Sequence, residues 1–144
     1  ALAANAALTL FIPMLMDTGG NAGGQASVSI IRGLALNEIE YSDTPRIICK
    51  EALVALACGV TLAGANFVKM MLIDRIAPTT ALVVCLTLMI SVLAAKVVGC
   101  TLPIAAKRIG FDPAVMASPF ITTIVDAISL MVYFQIATHV LHIG

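Results

Sequence analysis

Four long apolar segments joined by three short charged connections constrain this chain more than any other feature. They run from about Ala1 to Leu36, Ile47 to Ile73, Thr79 to Ala106 and Pro113 to Leu141. Each is longer than the roughly 20 mostly apolar residues that carry a helix across the hydrocarbon core of a bilayer. Only 11% of the residues are charged, against about 25% in an average soluble domain, too few to cover a water-facing surface. In lipid, backbone polar groups must be satisfied internally, and the short alternating strands of a β-barrel are not seen. The sequence therefore predicts an all-α polytopic helical bundle, a single domain over residues 1–144, with the lipid bilayer as its solvent. Acids and bases balance, eight against eight, and no basic stripe with interleaved aromatics appears. Nucleic acid is not an expected partner.

The connections, Asn37 to Arg46, Ile73 to Thr79 and Lys107 to Asp112, hold most of the charge. Pro45, Pro78 and Pro113 fall where helices start, since a first-turn proline lacks only an N–H that has no partner anyway. Asp112 reads as the cap of the last helix, and Gly110 as the terminator of the third. Arg32, Arg46, Lys50, Lys107 and Arg108 cluster around the first and third connections. The positive-inside rule then puts those loops in the cytoplasm and both chain ends on the outer side of the cell membrane. The chain begins abruptly inside a hydrophobic segment with no leader pattern, so a preceding helix is expected. Cys49, Cys58, Cys85 and Cys100 form no CxxC pair and read as free, helix-packing thiols.

Polar residues interrupt the first segment at Asp17–Gly33. Asp17, Asn21 and Gln25 recur every fourth residue and share one helix face. Gly19 with Gly23, and Gly20 with Gly24, form overlapping GxxxG patterns that admit a close backbone neighbour and leave carbonyls accessible. Plain helix packing, with Asn21 and Gln25 as interhelical glue, accounts for the same residues. On the last segment Thr122, Asp126, Ser129 and Tyr133 form a second row, which Ser118 extends, and Pro119 is expected to loosen the ladder and free carbonyls. Asp126 falls near mid-membrane. A carboxylate there is costly unless paired or hydrated, which suggests a water-filled ion path. Pairing with Lys96, the base deepest in a segment, is the other account, and the two are compatible. Carboxylate, amide, hydroxyl and carbonyl oxygens suit a hard divalent cation. His139 and His142 read as interfacial residues. A two-fold axis would bring two copies of Asp126 together, so the path is expected at the interface of a homodimer.

The stretch PMLMDTGGNAGGQASVSIIRGLAL, Pro13 to Leu36, resembles the second membrane helix of the MgtE family of magnesium channels and transporters. KEALVALACG, Lys50 to Gly59, fits the start of that family's third helix, and Gly99 to Phe134 resembles the end of its fourth helix and its fifth. The resemblance implies a five-helix membrane domain that works as a homodimer, with a pore lined mainly by the first and last helices of this chain. It implies Mg²⁺ as the transported ion, with Mn²⁺, Co²⁺ or Ca²⁺ as surrogates. It assigns Asp126 to the central ion site, with the Thr122 carbonyl one turn earlier, Asn21 along the path and Asp112 at the cytoplasmic mouth. Asp17, Gly20, Gly24, Gln25 and Ser129 would line the pore. The family's first membrane helix and its cytoplasmic regulatory domains, an N-terminal helical domain and paired CBS domains, do not occur in this sequence and are expected in the full-length protein. Asp17 stands where a small uncharged residue is expected. It either adds an acidic ring towards the outer mouth or pairs with Lys96.

Three rival readings make distinct demands. An intramembrane aspartyl protease would use Asp17 and Asp126 as a proton-sharing dyad, but the DTG at Asp17 belongs to a soluble β fold. A non-transporting assembly subunit would need Asp126 for stability alone. A transporter of another cation would bind Mg²⁺ weakly in competition.

Overall fold

The computed structural model describes residues 2–116 and 118–141; His142 and the Ser118 side chain lie outside the description. Four helices follow in order: α1 (Leu2–Ala35), α2 (Thr44–Leu72), α3 (Pro78–Arg108) and α4 (Ser118–Leu141). Short 3-10 turns at Tyr41–Asp43 and Pro113–Met116 precede α2 and α4. Three segments, Tyr41–Leu72, Pro78–Arg108 and Pro119–Leu141, are long and apolar enough to cross a membrane. The chain is thus a helical membrane bundle.

Helix ends follow local chemistry. Past α1, Asn37 turns to φ +54°, and Glu38 N–H donates to the Gly33 carbonyl at 2.9 Å. Past α3, Gly110 takes φ +85°, and Phe111 N–H donates to the Ala106 carbonyl at 2.9 Å. Both close the helix with a left-handed residue and a 6→1 bond. Pro45 and Pro78 sit in the first turns of α2 and α3.

The last helix begins later than its sequence suggests. The Asp112 carboxylate does accept the Ala114 N–H at 2.9 Å, but the turn it caps is the 3-10 turn Pro113–Met116, and α4 starts at Ser118. Pro119 therefore occupies the first turn of α4, where its missing N–H breaks no ladder bond. Its carbonyl is not freed either: the Thr122 and Thr123 hydroxyls both donate to it at 3.0 Å.

α3 is the central helix, packing against α1, α2 and α4, while α1 and α4 also pack on each other. α1 runs parallel to α3 and antiparallel to α4: Gly23 abuts Gly99, and Tyr133 near the end of α4 reaches Leu8 near the start of α1. α2 meets α3 through Ala55, Gly59, Ala63 and Met70, mostly small residues at four-residue spacing of the kind that lets membrane helices approach closely. Its other faces present Leu53, Leu56, Val60, Val68 and Leu72 outward, as lipid contact requires. The four cysteines are free, Cys85 and Cys100 buried, Cys49 and Cys58 on the outside.

The core is thick at one end, where Leu15, Met70, Leu88 and Tyr133 meet. It is thin in the middle, where Ala95, Ile121 and Val125 surround the glycines of α1. α1 runs unbroken through Pro13. A proline inside a helix crowds the carbonyls of the preceding turn, and there Tyr133 Oη donates to the Leu8 carbonyl at 2.8 Å with its side chain 1% exposed. Tyr133→Phe should lower stability by about 1 kcal/mol, the usual worth of one hydrogen bond, read as a drop in melting temperature of the purified protein.

Candidate functional site

The polar stripe of α1 faces outward from the four-helix unit. Asp17, Asn21 and Gln25 are exposed, whereas Gly19, Gly20, Gly23 and Gly24 are buried. The glycines are what lets α1 seat so closely. A Cβ at Gly19 would lie 3.0 Å from Val125 Cγ1 and 3.1 Å from Ser129 Oγ. One at Gly23 would lie 3.0 Å from the Ala95 carbonyl oxygen. A Cβ on Gly99 would run into the Gly23 carbonyl itself, so α1 and α3 touch backbone to backbone.

Gly20 joins the two polar rows. A Cβ there would stand 3.1 Å from Thr122 Cγ2 and 3.8 Å from Asp126 Oδ1. Asp126 and Thr122 are half-buried beside it, so the carboxylate sits at the rim where α4 meets the exposed stripe of α1. Asn21, Gly24, Gln25, Val28 and Ser29 line an open groove of about 550 Å³ along this face. Asp17, Asn21 and Gln25 also border a smaller cleft of about 250 Å³, whose far walls are Cys58 and Leu62 of α2 and Val92 and Lys96 of α3.

The rest of the α4 row is covered. Ser129 is 1% exposed and lies against Gly19 at the junction with Ser91 of α3, away from the open groove. Neither the Ser91 nor the Ser129 hydroxyl has a hydrogen-bond partner among the described residues. Because α4 starts at Ser118, Asp126 lies nearer that end of its helix than Leu141. Asp112 is not brought to Asp126. It stands at the end of the bundle where α1 and α3 terminate, in a cleft of about 260 Å³ shared with Ile31, Leu34 and Lys107. There Lys107 Nζ donates to the Leu34 carbonyl at 2.9 Å, a cation on the C-terminal end of α1 where the helix dipole favours it.

Lys96 is taken by neither Asp126 nor Asp17. Its ammonium pairs with Glu51 of α2 at 3.0 Å, with the two side chains 12% and 20% exposed. Glu51 is the residue that the sequence reading passed over. The α2–α3 hairpin carries it to the depth of Lys96, and a match of the single acid in α2 to the deepest base in α3 was the signal available. Among the described residues no three His, Cys, Asp or Glu side chains converge. His139 Nδ1 lies 2.8 Å from the Gln135 carbonyl of its own helix.

Asp126, which has no basic partner among the described residues, stands at the rim of a face that also carries Asp17, Asn21 and Gln25. This face offers hard oxygen ligands to a cation. Comparison with known proteins agrees. A family model described as MgtE, divalent cation transporter, matches residues 12–136. The magnesium transporter MgtE of Thermus thermophilus is 34% identical over 140 residues, covering 94% of this chain and 30% of that protein. That of Bacillus subtilis is 32% identical over 139 residues, with 94% and 30% covered. That of Enterococcus faecalis is 31% identical over 131 residues, with 91% and 29% covered. The chain spans under a third of the length of these relatives. Its motifs, its all-helical membrane fold and these matches together show that the chain belongs to the MgtE family of divalent cation transporters.

Proposed function

We propose that this chain is part of a Mg²⁺ transporter, and that two copies form a path between their α1–α4 faces. The observation that carries the reading is the setting of Asp126. It sits half-buried on a membrane-spanning helix with no basic side chain paired to it among the described residues, since the candidate base is held by Glu51. An unpaired intramembrane carboxylate is costly and is normally kept for function. Gly20 and Thr122 lie beside it, and Asn21 and Gln25 are exposed along the same α1 stripe, together a set of oxygen donors suited to a hard cation.

Asp126 and the exposed Asp17 of one chain do not by themselves build a cage. Mg²⁺ gives up its water reluctantly, so a carboxylate from each copy on a two-fold axis would hold the ion through its hydration shell. The open groove of Asn21, Gly24 and Gln25 gives that shell room and partners. Asp112 and Lys107, at the end whose flanking Lys and Arg support a cytoplasmic side, would form the mouth.

The test is Mn²⁺ binding to the purified full-length protein, followed by electron paramagnetic resonance with Mg²⁺ as competitor. Native protein should bind Mn²⁺, Mg²⁺ should displace it, and Asp126→Asn should lose that component. A folded Asp126→Asn protein that binds like the native one would remove Asp126 as a ligand.

A further inference from the structure

The Glu51–Lys96 ion pair is not part of the polar face, yet its lysine borders a cleft with the α1 stripe of that face. Lys96 Nζ and Glu51 Oε2 are 3.0 Å apart and largely buried between α2 and α3. The pair is not symmetric with respect to α1. Lys96, and not Glu51, forms a wall of the cleft whose other side is Asp17, Asn21 and Gln25. The positive end of the pair is therefore the end turned towards the stripe. In a low-dielectric interior such a dipole is screened far less than on a surface. A site that conducts must bind its ion well enough to admit it and weakly enough to release it. Two carboxylates, Asp17 and Asp126, border this face in every copy, and among the described residues no basic side chain of α1 or α4 pairs with either.

We propose that the Glu51–Lys96 pair sets the cation affinity of the α1–α4 face, with Lys96 as a positioning charge that weakens divalent binding and so keeps the ion moving. Glu51 holds the lysine in place. The inference rests on the reading of Asp126 as an ion ligand, and its sign separates it from a merely structural role. A pair needed only for packing would, when altered, lower stability without tightening binding.

The experiment is Mn²⁺ titration of full-length protein in lipid nanodiscs by electron paramagnetic resonance. Each variant is also made with Asp126→Asn, so that only the Mn²⁺ lost with that carboxylate is counted. The exchange Glu51→Lys with Lys96→Glu keeps an ion pair but turns its negative end to α1, and should tighten this component on the order of tenfold. The neutral pair Glu51→Gln with Lys96→Met, close to the native volumes, should tighten it by a smaller factor, and it carries the test if the exchange does not fold. Unchanged or weaker Mn²⁺ binding in the folded variant, with monodispersity and melting temperature as the check, overturns the proposal. If Asp126→Asn removes no Mn²⁺ from the otherwise native protein, the Asp126 reading fails first and takes the proposal with it. That result is visible before any pair variant is compared.

Discussion

Asp126→Asn is expected to lower Mg²⁺ flux into liposomes by more than about tenfold, because removing a charged ligand in a poorly screened site is worth well over 1 kcal/mol. The same change should leave the fold intact or make it firmer. Among the described residues Asp126 has no basic partner to lose, and its half-buried position beside Gly20 carries the cost of holding an ion in a low dielectric. Asn keeps the size of the side chain and drops the charge. A melting temperature equal to or above native, with flux lost, is the signature of a residue retained for function at the expense of stability. A fall in both would mean that Asp126 has a structural partner and that the ion site lies elsewhere. Asp17→Asn separates the two carboxylates. Asp17 is exposed on the stripe, so its removal should weaken ion entry at low Mg²⁺ and spare flux at high Mg²⁺.

The architecture was legible because the membrane demands length and apolarity, and both are written along the chain. The ends were legible where one residue type solves one problem, as Gly110 does at φ +85° after α3. The start of α4 was ambiguous because the chain contains two helix-start signals in a row. Asp112–Pro113 and Ser118–Pro119 both put a residue type favoured at helix starts before a proline, and only the second opens the long helix. Periodicity placed Thr122, Asp126, Ser129 and Tyr133 on one face of α4, as they are. It could not say what covers that face. α1 lies over Ser129 through Gly19 and over Tyr133 through Leu8, while Gly20 leaves Thr122 and Asp126 at the rim. The partner of Lys96 was hidden for a related reason. Glu51 follows Lys50 near a charged connection and reads as part of its flank, until the hairpin geometry carries it inward.

Gly99→Ala should be as damaging to assembly as Asp126→Asn is to flux. A Cβ at Gly99 meets the Gly23 carbonyl, with Gly23 carbonyl carbon at 3.0 Å and Ala26 Cβ at 3.2 Å. The obstructing atoms are backbone, so no rotamer change relieves them, and α1 must move away from α3. Overpacking of this kind costs about 1–3 kcal/mol, and the rigid neighbour places it at the upper end. The loss should also reach transport. α1 carries Asn21 and Gln25, and its displacement shifts the stripe relative to Asp126. Gly64→Ala is the matched control. Nothing lies within 4 Å of a Cβ there, and within α2 the exchange replaces the most flexible residue by the best helix former. That change is worth up to about 1 kcal/mol in favour of the helix. Thermal melting of the two variants should therefore move in opposite directions from native, with flux reduced only in Gly99→Ala. If both glycines tolerate alanine equally, the α1–α3 contact is looser than backbone-to-backbone, and the stripe on α1 is not held in register by it.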